Sequence, residues 1–380
     1  MKKLLLLAIP ALFLAVSCQP KTEPQALDLV PESNFDTELN GQKIALFTLK
    51  NSNGAAVQIT NYGGRVVSLW VPDREGVFRD VVQGLESIQA YMDPSAGNQG
   101  ATVGRYANRI EDRKFTLDGK EYLLAGHPDV ETPAGAIVDF NRAPFVPRAY
   151  ANEKGEQALE LKYRSPDGEA GFPGNVDVTV TFTLTNDNAL KIHYQATTDA
   201  PTILSMTNHA FFNLRGEGNG DILDHELYVN ADYFLVLKEG TLPTGEIAPV
   251  EGTPMDFRSP QRIDARIDEP FPSLQIGGGY DQCYVLNLEN GGITQVASMR
   301  EPEFGIVLDV YTDQPGMQLY SGNNLTNLVG KKGHVYSKRT GVCLETMYFP
   351  NSPMHDNFPS TVLRPGETYD QTCIYKFSVK

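Results

Sequence analysis

Strand signals recur along almost the whole of this 380-residue chain, and no long stretch has helical periodicity. In Val176–Leu184, apolar side chains alternate strictly with Asp and Thr. Alternation with a period of two is typical of an antiparallel strand that buries one face. Similar runs, separated by Gly, Pro, Asn and Asp clusters, occupy residues 65–71, 189–197, 202–212, 283–288, 305–311, 317–320, 342–349 and 372–379. We therefore predict an all-β fold, a large antiparallel β-sandwich, with one modest helix near residues 85–91.

The N-terminus differs in composition from the rest of the chain. A short apolar stretch follows Met1-Lys2-Lys3, and Ala15-Val16-Ser17-Cys18 resembles a bacterial lipobox. We predict a lipoprotein signal peptide at residues 1–17, lipidation of Cys18, a Pro- and Glu-rich tether at 18–36 and one domain at 37–380. The alternatives are ordinary signal cleavage near Cys18, and two packed β-domains that divide near residues 216–220.

Charge and cysteine content exclude several partners. The formal net charge is −15 and no basic stripe is present, which argues against nucleic acid. Three cysteines remain after Cys18, each inside an apolar run, and an odd number of such thiols is not a disulfide framework. We expect membrane contact only through the lipid anchor, in the bacterial cell envelope, on the outer membrane with the domain facing the periplasm or the surface.

Common cofactor and nucleophile motifs are missing from the sequence. There is no phosphate-binding GxxxxGK[ST] loop, no GxSxG elbow and no pair of cysteines at metal spacing. His225-Glu226 is followed by Val229 where a zinc helix needs its second histidine. We therefore expect neither a cofactor nor a metal.

Glu345 occupies an unusual place in an apolar run. Strand alternation puts its carboxylate on the same face as Cys343, Met347 and Phe349. Removing a carboxylate from water costs several kcal/mol unless partners offset it, so a fold keeps one there for pairing or for proton transfer. The residues alone leave three interpretations open: a general base, an ion pair with an arginine such as Arg109, or a strand-end glutamate that bends toward solvent.

Other polar residues also interrupt apolar strands. His209 lies in the run 205–213, Asn108 and Arg109 follow a glycine-rich segment, Asp281 comes after a glycine turn, and Gln318 lies in a short strand signal. Rigid multi-donor groups such as Arg suit vicinal hydroxyls as well as carboxylates. Taken singly, each of these residues is equally consistent with a structural role.

The order of short motifs along the chain resembles the aldose 1-epimerases, also called galactose mutarotases. These motifs include Asn-Tyr-Gly-Gly at 61–64, Thr-Asn-His at 207–209, Tyr-Asp at 280–281, Gln-Pro-Gly at 314–316 and Cys-Leu-Glu at 343–345. Further matching segments are 71–76, 100–110, 212–214, 242–246, 252–254, 256–258 and 358–367. Together they cover nearly all of the predicted domain.

The resemblance implies a fold and an activity. The fold would be the galactose mutarotase-like supersandwich, with a monosaccharide in a concave cleft and no cofactor. The reaction would interconvert the α and β anomers of a free aldose of the glucose or galactose type. Glu345 would be the general base and His209 the general acid, while Asn108, Arg109, Asp281 and Gln318 would contact the pyranose. We expect a monomer.

Two departures from the family pattern fall on the expected sugar side. Ala134 stands where relatives carry a second active-site histidine, and Asp139-Phe140 stands where they carry Gly-Phe. Asn98-Gln99 replaces a usual aromatic pair. His127 and His355 are candidates to replace the histidine. The rival functions are an epimerase for another sugar, including a sugar phosphate, a carbohydrate-binding lipoprotein with weakened catalysis, and a polysaccharide lyase or hydrolase.

Overall fold

The computed structural model describes residues 25–130, 139–289 and 291–380. The predicted signal peptide, Cys18 and Ala134 lie outside these residues. The described chain is almost entirely β-structure, and every ladder between its strands is antiparallel. None of the described helices is long and apolar enough to cross a membrane.

The largest sheet contains nine strands. In spatial order these are Val146–Ala151, Gln157–Ser165, Val176–Leu184, Ala189–Thr198, Tyr369–Val379, Ile306–Thr312, Thr294–Arg300, Glu226–Val229 and Gln261–Arg262. Its centre pairs a strand that precedes residues 216–220 with one that follows them, Ala189–Thr198 with Tyr369–Val379. The chain on either side of the possible division therefore forms one continuous sheet.

Two smaller sheets accompany it. The five-stranded sheet has the order Leu242–Pro249, Tyr233–Lys238, Asp281–Val285, Gly316–Tyr320 and Cys343–Met347. The four-stranded sheet has the order Leu46–Lys50, Ala56–Thr60, Arg65–Pro72 and Phe78–Asp80. The two-stranded pairs are Thr37–Leu39 with Gln42–Ile44, Thr102–Val103 with Thr207–Asn208, Lys114–Leu117 with Lys120–Leu123, Thr202–Ile203 with Val362–Leu363, and Leu328–Val329 with Val335–Tyr336.

The three larger sheets share one hydrophobic core. Its buried members include Leu69 from the four-stranded sheet, Phe182 from the nine-stranded sheet and Leu344 from the five-stranded sheet. In Val176–Leu184 the apolar residues are buried, and the Asp and Thr residues between them are more exposed. The alternation predicted from the sequence is thus confirmed, as is the all-β sandwich class.

The described residues contain two α-helices, Ile88–Met92 and Pro272–Gly277. The first matches the helix expected near residues 85–91, and it begins after Ser87, whose hydroxyl accepts a hydrogen bond from the Ala90 N–H at 3.2 Å. Cys283, Cys343 and Cys373 are buried free thiols, as the sequence predicts.

Part of the segment assigned to the tether is packed against the domain. Phe35 is fully buried, and Val30 is 6% exposed. The Val30 backbone exchanges two hydrogen bonds with the Gln58 side chain, at 2.9 and 2.8 Å. Packed structure therefore begins before residue 37, which the sequence marks as the start of the domain.

Candidate active site

Strand register collects polar side chains on one face of the five-stranded sheet. Gln318 pairs directly with Glu345, and Tyr320 pairs directly with both Asp281 and Cys343. Directly paired residues in an antiparallel sheet project to the same face, as do residues two apart along a strand. All five side chains therefore share a face.

The opposite face of the same strands belongs to the hydrophobic core. Met317, Leu319 and Leu344 are fully buried within it. Glu345 is 5% exposed, so the strand buries its carboxylate on the other side of the sheet. This placement confirms the alternation predicted for this strand and excludes a glutamate that bends out to solvent.

His209 reaches the same face from a neighbouring segment. The backbone N–H of His209 donates to the Ala101 carbonyl at 2.8 Å, and the His209 carbonyl accepts from the Gly100 N–H at 3.0 Å. These two bonds anchor the backbone just after Thr207–Asn208. His209 Nε2 lies 3.6 Å from Glu345 Oε1. Its Nδ1 lies 3.4 Å from Cys343 Sγ. The structure thus brings together two residues that are 136 positions apart in the sequence.

Burial controls the proton affinities of this pair. It lowers the pKa of His209 to about 4 and raises the pKa of Glu345 well above its ordinary value. The charge of Asp281 raises the pKa of Glu345 further, while Arg109 lowers it. Both shifts favour the neutral forms of these groups, the carboxylic acid and the imidazole. For Glu345 to act as a base and His209 as an acid, the complex with substrate must instead favour the carboxylate and the imidazolium.

The surroundings of His209 explain its low proton affinity. Burial also raises the pKa of the Cys343 thiol well above its ordinary value, so this thiol stays protonated. The group facing Nδ1 is therefore neutral, unlike the carboxylate that often supports a catalytic histidine. Phe211 lies beside the ring, with 5.0 Å between ring centroids.

Asp281 and Gln318 form a second polar pair. Gln318 Nε2 donates to Asp281 Oδ1 at 2.6 Å. Burial raises the pKa of Asp281, and the charge of Arg109 and this hydrogen bond lower it. Gln318 orients Asp281 and is not among the described residues that line the cavity, so its contact with a sugar stays a prediction.

Asn108 and Arg109 lie on the loop after Thr102–Val103. Asn108 adopts a positive φ of 67°, which Asn tolerates better than most residues. Arg109 is exposed and donates to Asn108 Oδ1 at 3.2 Å. No Lys or Arg nitrogen in the described ranges lies within 4.0 Å of the Glu345 carboxylate, so the structure holds no direct Arg109–Glu345 ion pair.

Arg105, on the same loop, is structural. It is buried and donates to Ser165 Oγ at 2.8 Å and to the Pro173 carbonyl at 2.9 Å.

These side chains enclose a cavity of about 280 Å³. The lining residues are Asn98, Val103, Asn108, Arg109, Asp139, His209, Asp281, Tyr320, Asn324 and Glu345. It contains five of the six predicted catalytic and sugar-binding residues. A larger cavity of about 690 Å³ adjoins it at Asn108 and Arg109.

Four polar lining residues were not predicted as site residues. Tyr320 is two residues after Gln318 in the same strand, so the two side chains lie on the same face of the sheet. The Asn324 N–H donates to the Tyr320 hydroxyl at 2.9 Å. Asn98 and Asp139 stand at the two places where the chain departs from the family pattern. These departures were the sequence signal that could have identified Asn98 and Asp139 as site residues.

The two histidines considered as replacements lie elsewhere. His127 lines the adjoining cavity. His355 Nε2 lies 3.1 Å from the Pro243 carbonyl and 3.3 Å from Asn351 Nδ2. Within the described chain, neither side chain lines the cavity of Glu345.

One group of side chains in the site has the donor types of a metal centre. His209, Cys343 and Glu345 offer nitrogen, sulfur and oxygen atoms within 4.8 Å of one another. A tetrahedral site needs a fourth ligand, and the two contacts of His209 use different ring nitrogens. The geometry fits a closely spaced acid–base pair better than a preformed metal site.

Comparison with known proteins places the chain among sugar epimerases. The pattern of the family described as aldose 1-epimerase matches residues 45–376. The galactose mutarotase of Sus scrofa is 40% identical over 329 residues, which cover 86% of this chain and 92% of that protein. The aldose 1-epimerase of Escherichia coli K12 is 34% identical over 89% of this chain and 96% of its own length.

Solved structures agree with these sequence relatives. An aldose epimerase homologue from C. elegans superposes with a TM-score of 0.78 at 28% identity, covering 88% of this chain and 99% of that one. A galactose 1-epimerase from Lactobacillus acidophilus superposes with a TM-score of 0.76 at 25% identity, covering 91% and 97%.

Proposed function

This chain belongs to the aldose 1-epimerase family, and we propose that it interconverts the α and β anomers of a free aldose through the His209–Glu345 pair. The observation that carries the proposal is the 3.6 Å contact between His209 Nε2 and Glu345 Oε1, in a polar cavity that is open to solvent. A proton donor and a proton acceptor at this spacing can serve the two oxygens of a cyclic hemiacetal, the C1 hydroxyl and the ring oxygen.

The reaction is a ring opening followed by ring closure. Glu345 takes the proton of the C1 hydroxyl while His209 donates a proton to the ring oxygen, and the bond between C1 and that oxygen breaks. The product is the open-chain aldehyde. Rotation about the C1–C2 bond turns the other face of the carbonyl toward the ring hydroxyl, and the reversed proton transfers close the ring. No net proton is gained or lost.

Substrate binding supplies the proton distribution that this chemistry needs. In the free protein, burial favours the neutral forms of both Glu345 and His209. The C1 hydroxyl donates a hydrogen bond to Glu345 and so favours its ionised form, and the ring oxygen accepts one from His209 and so favours imidazolium. The positive charge of Arg109 lowers the pKa of Glu345 in the same sense.

The remaining predicted residues would hold the pyranose. Arg109 and Asn108 offer donors at the mouth of the cavity, and Asp281, held by Gln318, offers acceptors deeper inside. The name of the Sus scrofa relative makes galactose the first substrate to test, and the resemblance to the family adds glucose.

The test is polarimetry on freshly dissolved α-glucose and α-galactose. Removing either proton-transfer group should lower the catalysed rate about 10²–10⁴-fold, so Glu345→Gln and His209→Ala should each approach spontaneous mutarotation. His193→Ala is the matched control, because His193 pairs with Asp370 at 3.1 Å on the nine-stranded sheet, away from the cavity. Mutarotation of both sugars at the spontaneous rate with wild-type protein would refute the proposal for glucose and galactose, and retained sugar binding would then favour the carbohydrate-binding alternative.

The cellular setting is a separate proposal. The lipobox-like segment supports lipidation at Cys18 and anchoring of the domain in the bacterial cell envelope, and we expect this domain to be a monomer. Metabolic labelling with palmitate should mark wild-type protein and leave Cys18→Ala unlabelled. Equal labelling of both proteins would contradict the anchor, and gel filtration of the domain tests the monomer.

A further inference from the structure

Asp139 places a carboxylate in the wall of the catalytic cavity, beside residues that already have proposed roles. It caps the short 3-10 segment Phe140–Arg142, whose first residue is buried in the hydrophobic core. Its Oδ1 accepts long hydrogen bonds from the N–H groups of Gly104, at 3.3 Å, and Asn141, at 3.5 Å. Within the described chain Oδ2 has no hydrogen-bond partner, and the half-buried side chain lines the cavity.

The backbone around Asp139 is held rigidly by Arg65. This arginine is 1% exposed and donates to three carbonyl groups, those of Gln99 at 2.8 Å, Asn141 at 2.9 Å and Gly97 at 3.0 Å. These carbonyls belong to the two segments that carry Asn98 and Asp139. One guanidinium therefore fixes both parts of the wall relative to each other.

Asn98 completes this part of the wall. Its side-chain oxygen accepts a hydrogen bond from Asn141 Nδ2, which leaves its NH₂ group as the donor toward the cavity. A carboxylate acceptor next to an amide donor matches the hydrogen-bonding pattern of two neighbouring hydroxyls on a sugar ring. Burial raises the pKa of Asp139 to about 6, so its carboxylate is ionised at neutral pH and accepts strong hydrogen bonds.

We propose that Asp139 contacts the substrate and determines specificity, its Oδ2 accepting a hydrogen bond from one ring hydroxyl away from C1 while Asn98 donates to the neighbouring oxygen. This assignment rests on the proposed epimerase function. It concerns binding of the sugar, whereas His209 and Glu345 carry the proton transfers. Because a site built to bind a hydroxyl leaves a buried polar group unpaired when that hydroxyl is missing, it rejects the deoxy analogue.

The experiment compares Asp139→Asn with wild type on glucose and on its 2-, 3-, 4- and 6-deoxy analogues. Asn keeps the capping role, since it caps helices as well as Asp does. Asp93→Asn is the matched control, because Asp93 also caps a three-residue 3-10 segment, Pro94–Ala96, but is exposed and outside the cavity. Its kcat/KM should equal that of wild type for every sugar.

Loss of a hydrogen bond to a charged group should lower kcat/KM of Asp139→Asn for glucose roughly 10–100-fold, mainly through KM. Wild type should lose a similar factor with one deoxy sugar, and with that sugar the difference between wild type and Asp139→Asn should fall to less than about threefold. If kcat/KM of Asp139→Asn falls below that of wild type by the same factor with every analogue, Asp139 has a structural role and the proposal is overturned. A change in kcat/KM below about twofold with glucose also overturns it.

Calorimetric titration with the same sugars separates this proposal from the epimerase function. If wild type binds glucose without accelerating mutarotation, the epimerase proposal fails, and weaker binding by Asp139→Asn with the same dependence on one hydroxyl still supports the contact. Equal affinity of wild type and Asp139→Asn, or no binding of any of these sugars to wild type, overturns the assignment of Asp139.

Discussion

At the scale of single residues, the site depends on carboxyl groups kept in places that disfavour their charge. Glu345, Asp281 and Asp139 all have pKa values raised by burial, and each lines the cavity. Groups of this kind concentrate where a protein binds or transforms a ligand, since a purely structural position is more stable with an apolar side chain. Stability is therefore expected to rise when such a carboxylate is neutralised.

Asp139→Asn tests this expectation. The pKa of Asp139 is raised from 3.8 to about 6 in the folded protein, so the folded state binds this proton more tightly than the unfolded state does. Ionisation then lowers the free energy of unfolding above pH 6, and the effect disappears below about pH 4. We expect Asp139→Asn to be more stable than wild type at pH 7.5 by on the order of 1–3 kcal/mol.

Urea unfolding at pH 7.5 and pH 4 measures this difference, which should shrink as the pH falls. Asp93→Asn is the comparison at both values: hydrogen bonds from Ser95 lower the pKa of the exposed Asp93, so this substitution should not stabilise the protein at pH 7.5. A gain in stability of the same size at both pH values would contradict the titration argument.

At the scale of elements, a buried ion pair joins the short 3-10 segment Lys331–Gly333 to the four-stranded sheet. Lys331 is 1% exposed, and its Nζ donates to the Val67 carbonyl at 2.8 Å, the Val82 carbonyl at 2.9 Å and Asp80 Oδ2 at 2.5 Å. Asp80 Oδ1 also accepts from the Leu69 N–H at 3.0 Å. Every strong donor and acceptor of the pair is thus satisfied, which is the condition for keeping two charges inside a protein.

Lys331→Met should lower the free energy of unfolding by about 3–5 kcal/mol, because it leaves the Asp80 carboxylate buried without its cation. Adding Asp80→Asn should recover part of that loss, a non-additive result expected for residues in contact. Lys332→Met is the control. Lys332 is exposed and pairs with Asp28 at the surface, and we expect a change within about 1 kcal/mol. Chemical denaturation of wild type and these three variants measures the differences, and a Lys331→Met protein as stable as wild type would contradict the prediction.

At the scale of the whole molecule, the N-terminal segment contributes to the core that supports the sheets. Phe35 packs in a cluster with Ile88 and Tyr91, next to the helix Ile88–Met92. A chain beginning at residue 37 should therefore be about 3–5 kcal/mol less stable than one beginning at residue 25, the usual cost of losing a buried Phe. Urea unfolding of the two chains, with Phe35→Ala in the longer one, measures this. Equal stability would place residues 25–36 in the tether after all.

Most of the fold was predictable from sequence because strand alternation is a local property. Val176–Leu184 has the predicted buried and exposed faces, and the strand that holds Glu345 has the predicted orientation. The extent of packing before residue 37 was harder to predict, since a Pro-rich segment with scattered apolar residues does not show which of them are buried or what they contact.

The sequence by itself determined the β-rich class, the face on which Glu345 lies and, through the order of its motifs, the family. The residues alone left Glu345 open between a base, an ion pair with an arginine and a strand-end glutamate that bends toward solvent, and they gave Asp139 no role. Only the tertiary structure showed where these side chains lie: Glu345 lies 3.6 Å from His209, Gln318 donates a hydrogen bond to Asp281, and Asp139 lines the cavity. The physical reason is that periodicity follows from neighbouring residues, whereas distances between remote side chains depend on cross-strand register and loop closure.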